Sequence, residues 1–260
     1  MRLLREAIPP LVALTALVAC GEHSHEQTPV DVPVFASGAG LRATAPSDLG
    51  WTVTVTRARV HVRDLELTIL GETHTASLLR GLGAFVIGTA HAHPGHYAGG
   101  EVTGELPGDL VFDIAPDATP APLGTASALP GVYRGANLGF GRGIDGHTAV
   151  LEGVATRDGV TVTFTANVDA ATGAQVVGLP FDAEIGAAGG TGAALNLLVT
   201  DPQLGGNLFD AQDFAVLDAA DGATDGLAVL EPGSPGGNRL ARQFVRHDFW
   251  YMTPIVETNR

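Results

Sequence analysis

The sequence predicts an all-β fold: an antiparallel β-sandwich or barrel-like sandwich with at most one or two short helices. Three observations predict it. Apolar residues alternate with polar ones over several short runs, the period of half-buried strands. Asp-Gly and Pro-Gly pairs separate those runs, and such pairs turn a chain between strands. Gly 35 and Pro 16 among 260 residues are too many for a chain of long helices.

The elements follow in order. Residues Gly21 to Asp48 are small or polar, with Pro29, Pro33 and Pro46. They read as a tether in which Val30–Phe35 is a candidate first strand. From Trp51 the period becomes two: Trp51, Val53 and Val55 alternate with Thr52, Thr54 and Thr56. The phase then slips. Ala58, Val60 and Val62 are even, whereas Leu65, Leu67 and Ile69 are odd again. A one-residue slip would turn the apolar face to water, so it predicts a β-bulge or a strand break. Leu106-Pro107-Gly108-Asp109 predicts a turn between strands near 101–106 and 110–114.

The clearest hairpin is His147–Val168. Ala149, Leu151, Gly153 and Ala155 share one face; Arg157-Asp158-Gly159 turns the chain, and Val160, Val162, Phe164, Ala166 and Val168 return. Further strands are expected at 175–185 and 194–200, and one short helix at 210–219. Phe249-Trp250-Tyr251 is expected in the core or at a sheet edge. With no fixed repeat and no break in composition, residues 49–260 are expected to form one domain.

The N-terminus reads as an address. Arg2 and Arg5 precede an uncharged, mainly apolar run from Ile8 to Ala19. A bilayer-spanning helix needs about 20 apolar residues, so this run has the layout of a secretory signal over residues 1–19. It ends in Leu17-Val18-Ala19-Cys20-Gly21. This stretch resembles the lipobox of bacterial lipoproteins. The resemblance implies that Cys20, the sole Cys, is lipidated, with residues 20–48 linking it to the folded domain. It also implies that Gly21, where an Asp would favour the inner membrane, directs the protein to the outer membrane.

Composition narrows the chemistry. All 14 basic residues are Arg and the net charge is −14. The absence of Lys excludes P-loop and Schiff-base chemistry, and the acidity argues against nucleic-acid partners. A single Cys excludes a disulfide framework and Cys-rich zinc modules.

The strongest local feature is Ala90-His91-Ala92-His93-Pro94-Gly95-His96-Tyr97. In an extended segment His91 and His93 project to one side. Pro94-Gly95 can return His96 towards them. Three neutral imidazoles suit copper or zinc, and Glu101 follows closely enough to add an oxygen. His61 and His147 are remote candidates for the same shell. His23 and His25, beside Glu22 and Glu26, fit a solvated linker better than a site. Asp218, Asp221 and Asp225 lie in an Ala/Gly-rich loop, where calcium and plain Asp-Gly turns are both readings.

The His-x-His pair with a later Glu resembles part of the first cupin motif. The chain departs from it: Tyr97 and Ala98 stand where the motif has Glu, and Asn238 and Arg239 stand where its second His would follow Pro235-Gly236-Gly237. No catalytic role is carried across. Gly141-Arg142-Gly143-Ile144-Asp145-Gly146 matches Gly-x-Gly-x-x-Gly, yet a strand follows it rather than a helix. A loop is therefore expected there.

The expected function is a lipid-anchored extracytoplasmic protein that binds copper or zinc through His91, His93, His96 and Glu101, for binding or delivery rather than turnover. The alternatives are a non-metal structural or interaction lipoprotein of the cell envelope and a metal-dependent cupin-like enzyme.

Overall fold

The computed structural model describes residues 27–69, 101–220 and 222–256. The strands are β1 (Val30–Ser37), β2 (Thr52–Ile69), β3 (Glu101–Ile114), β4 (Ala121–Ala128), β5 (Gly131–Phe140), β6 (Ala149–Arg157), β7 (Val160–Val168), β8 (Gln175–Ile185), β9 (Thr191–Leu197), β10 (Leu227–Leu230) and β11 (Trp250–Val256). Two short helices, α1 (Phe214–Asp218) and α2 (Pro235–Phe244), and a 3₁₀ turn at His247–Phe249 complete the described residues. The all-β expectation holds.

All eleven strands belong to one sheet, whose main path runs β10-β7-β6-β2-β3-β4-β1-β9-β11. The sheet forks at β2. Its first half pairs with β6 and its second half with β5, which carries β8. A strand that changes neighbours through bulges turns a corner, which is how one sheet comes to face itself. β8 packs against β11 without joining it in register. The sheet therefore curls around a single apolar core in a sandwich-like way and does not close.

The phase slip in β2 is real and has two parts. Val55 pairs with Gly153 and Arg57 with Glu152, so Thr56 is an extra residue. Arg63 pairs with Asp109 and Leu65 with Leu106, so Asp64, at φ 48°, faces both Pro107 and Gly108 of β3; against β5, where Arg63 pairs with Gly139 and Glu66 with Asn137, the extra residue is on β2. Each insertion moves the apolar set by one, and Trp51, Val53, Val55, Ala58, Val60, Val62, Leu65 and Leu67 are all buried.

Several expectations need correction. The Pro107-Gly108 turn is absent: β3 runs unbroken and these residues form the other half of the Asp64 bulge, where Gly108 N–H donates to Asp64 Oδ1 (2.8 Å). The folded domain starts near residue 30, not 49. β1 is an interior strand with Val32, Val34 and Ala36 buried, and Leu41 is buried beyond it. The sheet is not wholly antiparallel, since β1–β9 and β7–β10 are parallel pairs. The expected strand at 194–200 lies at Thr191–Leu197. The expected 210–219 helix shortens to α1, whose N-terminus is capped by the Asp213 carboxylate on Ala215 N–H. α2 was not foreseen, although Ser234 caps it by accepting from Gly237 N–H (3.0 Å) and Pro235 opens it.

The His147–Val168 hairpin forms as expected, with Asp158 at φ 51° and Gly159 at φ 81° in its turn. The aromatic triplet packs as expected. Phe249 and Trp250 are buried, and Trp250 meets Phe140 and Phe244 with ring centroids 5.8 and 5.3 Å apart. Its indole N–H donates to Phe244 O (2.6 Å).

Candidate metal centre

His91, His93, His96 and Cys20 lie outside the described residues, as do His23 and His25. Glu101 is described. It opens β3, is exposed, and is the register partner of Ile69, the last residue of β2. The connection that carries the three histidines therefore leaves and re-enters the sheet at one place. Beside that place is a cleft of about 400 Å³, lined in part by Ile69, Thr103 and Gly131. The Tyr133 hydroxyl sits beneath, donating to Leu129 O (2.6 Å), and burial raises its pKa above the ordinary phenol value.

Further along the same strand pair, Glu66 stands directly opposite Glu105. Like charges in that position destabilise a ladder. Glu66 Oε2 accepts from the Asn137 amide (2.9 Å), which offsets part of the repulsion. Asp64, Glu66 and Glu105 line a second cleft of about 370 Å³. This stretch of the β2–β3 pair is thus strongly acidic.

The remote histidines take other partners. On β2 the odd positions between the two bulges, Arg57, Arg59, His61 and Arg63, alternate with the buried Ala58, Val60 and Val62. Each polar residue finds a carboxylate. Arg57 binds Asp113 (2.5 Å), Arg59 binds Asp145 (3.1 Å), and both His61 (2.9 Å) and Arg63 (2.8 Å) bind Asp109. A carboxylate only accepts, so His61 donates from Nε2. That bond, aided by Arg63, holds the Asp109 carboxyl below the usual range. His61 Nδ1 is buried and has no hydrogen-bond partner among the described residues. The reading of 57–63 from sequence missed this row of charge, although the even apolar phase implied it.

The Gly-x-Gly-x-x-Gly segment is a loop, as expected, and its glycines have a packing reason. A Cβ on Gly141 would lie 2.3 Å from His61 Cε1, and one on Gly143 would lie 2.4 Å from His61 Nδ1. The segment folds over the imidazole and ends in a tight turn at Asp145-Gly146 between Ile144 and His147. His147 then bonds Asp169 through Nδ1 (2.8 Å), with Arg142 3.7 Å from the same carboxylate. His61 and His147 are thus each bound to a separate carboxylate.

In the acidic loop, Asp218 Oδ1 accepts from the N–H groups of Gly226 (2.9 Å) and Leu227 (3.0 Å), and Asp225 Oδ1 accepts from Leu227 N–H (3.1 Å). Both carboxylates act as turn caps joining α1 to β10. Asp221 lies outside the described residues. Among the described residues no group of three or more His, Cys, Asp or Glu side chains gathers as a metal shell. No helix among them is long and apolar enough to cross a membrane. Compared with protein-family models, curated proteins and solved structures, the chain has no significant match.

Proposed function

We propose that this chain is a lipid-anchored protein of the outer membrane that binds a copper or zinc ion through His91, His93 and His96, with Glu101 as an oxygen donor, and that its work is metal binding or delivery. The observation that carries the reading is the Ile69–Glu101 register pair. It ties both ends of the histidine-bearing connection to the position of Glu101. His96 lies five residues before Glu101, within about 18 Å of it even at full extension. The acidic residues on the adjoining part of β2 and β3 favour a cation there. Lipidation at Cys20 supplies the anchor, as the lipobox resemblance implies. Because β1 begins at Val30, the link from Cys20 to the domain reaches at most about 35 Å, which keeps the domain close to the membrane surface.

The test is a titration with Cu²⁺ and Zn²⁺ of a His23→Ala/His25→Ala protein, which removes the linker imidazoles as competitors. Cu²⁺ is expected to bind more tightly than Zn²⁺. Binding is expected to weaken as the pH falls through about 6.5, where protons compete for imidazole lone pairs. Adding His93→Ala is expected to lower affinity at least tenfold. If the background protein binds neither metal, or His93→Ala binds as tightly, the site is not this cluster. Anchoring is tested separately: Cys20→Ser is expected to abolish labelling by radioactive palmitate, and unchanged labelling would overturn it.

A further inference from the structure

β1 and β9 run parallel and end together, with Ser37 opposite Asn196. Parallel strands release their following segments at the same end of a sheet, and a crevice forms where those segments part. Here the segments after β1 and β9 line one cavity of about 440 Å³, together with Pro180 of β8 and Tyr251 of β11. That volume lies within the range of small-molecule sites, roughly 300–1,000 Å³. The two walls are tied to each other. Val199 N–H donates to Gly40 O (2.9 Å), and Thr44 N–H donates to Thr200 Oγ1 (3.0 Å). Gly40 permits the approach, since a Cβ there would lie 2.5 Å from Leu197 O. The cavity is therefore built into the fold.

Its polar equipment is unbalanced at one atom. Asn196 is 2% exposed and lines the cavity. Its amide nitrogen donates to Ala194 O (2.9 Å), Tyr251 O (3.4 Å) and Thr253 Oγ1 (3.3 Å). Two of these partners are backbone carbonyls, which fixes the nitrogen on that side. The Asn196 carbonyl oxygen accepts no hydrogen bond among the described residues. That oxygen is not one of the fully buried unpaired atoms, so it is open to the cavity that Asn196 lines, and an occupant with an O–H or N–H group can donate to it. Charge selects further. Arg42 is the sole charged residue lining the cavity, and Asp117 pairs with it at 2.5 Å. The lining is thus electrically balanced, while the whole chain, at −14, repels anions. Leu198, Pro180 and the Tyr251 ring offer apolar faces.

We propose that this crevice binds an uncharged small molecule with a planar ring and an O–H or N–H group that donates to Asn196 Oδ1. The site is independent of the metal reading. The test uses ¹⁵N-labelled full-length protein, with phenol, indole and benzamide as probes, toluene as the ring without a donor, and benzoate as the charged ring. The three donor-bearing rings are expected to give saturable amide shifts at Gly40, Leu198 and Tyr251, with Kd at least tenfold below those of toluene and benzoate. Ala39→Trp places an indole at an exposed lining position and is expected to raise those Kd values at least tenfold. If that variant unfolds at a lower temperature than the parent, Gln203→Trp, also at an exposed lining position, replaces it under the same criterion. Absence of saturable shifts, toluene or benzoate binding as well as phenol, or undiminished binding by the filled variant would each overturn the proposal.

Discussion

The β6–β7 pair and the β2–β3 pair are both antiparallel, and they are built in opposite ways. β6 and β7 stay in register from Ala149–Val168 to Arg157–Val160 without a break, closed by an Asp-Gly turn. The β2–β3 register shifts twice, and residues 70–100 connect the two strands. The regular pair uses its alternate residues for the core: Phe164 lies against Phe209 and Phe214 with centroids 5.0 and 5.1 Å apart. The irregular pair carries most of the described chemistry, including His61, Arg63, Asp109, Glu66 and Glu105. A bulge changes which residues face the core, so it lets one long strand serve two sheet partners and present charge between them.

The comparison can be broken most severely in the bulged strand. Deleting Arg59, between the bulges, puts Trp51, Val53, Val55 and Ala58 out of phase with Val60 and Val62. Each large side chain exposed costs about 1.5–3 kcal/mol, and the total rivals the whole stability of an ordinary domain, about 5–15 kcal/mol. The deletion is expected to abolish cooperative thermal unfolding; a native-like amide spectrum would show that β2 tolerates a change of phase. In the regular pair the largest single effect is expected from Phe164→Ala, about 3–5 kcal/mol by urea unfolding. Val160→Ala, in the same strand but 50% exposed, is expected to change stability by less than about 0.5 kcal/mol. Equal losses at the two positions would mean that alternation does not set burial in this hairpin.

Gly143→Ala sharpens the other side of the comparison. Its methyl group must displace the His61 ring, at an expected cost of about 1–3 kcal/mol. The His61–Asp109 bond should weaken with it, seen as a shift in the His61 ring resonances. The smallest effect concerns Asp109. Its folded pKa lies below its unfolded value because His61 and Arg63 bind the carboxylate. The stability this contributes is present above the unfolded pKa, about 3.9, and is lost as pH falls through the folded value. The urea midpoint of Asp109→Asn should therefore fall short of the parent's at pH 7 by more than it does at pH 3. A gap that stays constant between the two would show that the Asp109 carboxylate gains nothing from its partners.

Much of this fold was legible in the chain because the signals are local. Alternation over 147–168 with Asp158-Gly159 between its arms specifies a hairpin, since neighbouring residues alone decide both face and turn. The odd-even-odd phase of 51–69 predicted an irregularity, although it left open whether the strand bulges or breaks. Pro107-Gly108 misled for the same reason. The pair favours a turn locally, but β2 lies alongside and Asp64 accepts the Gly108 N–H, so the chain continues as a bulged strand. Around the proposed metal centre, sequence spacing alone nominated His91, His93 and His96. The structure adds where their connection joins the sheet.

The sequence by itself determined the class of fold, the strands that alternate, the Asp-Gly hairpin and the nomination of the histidine cluster. Each depends on contacts between residues near one another in the chain. Tertiary structure alone decided the parallel pairing of β1 with β9, the fork of the sheet at β2, and the carboxylates taken by His61 and His147. These contacts join segments far apart in sequence, as when Val34 meets Ala193 and His61 meets Asp109. Their loop-closure entropy is offset only when the whole apolar core assembles, so no local pattern in the chain announces them.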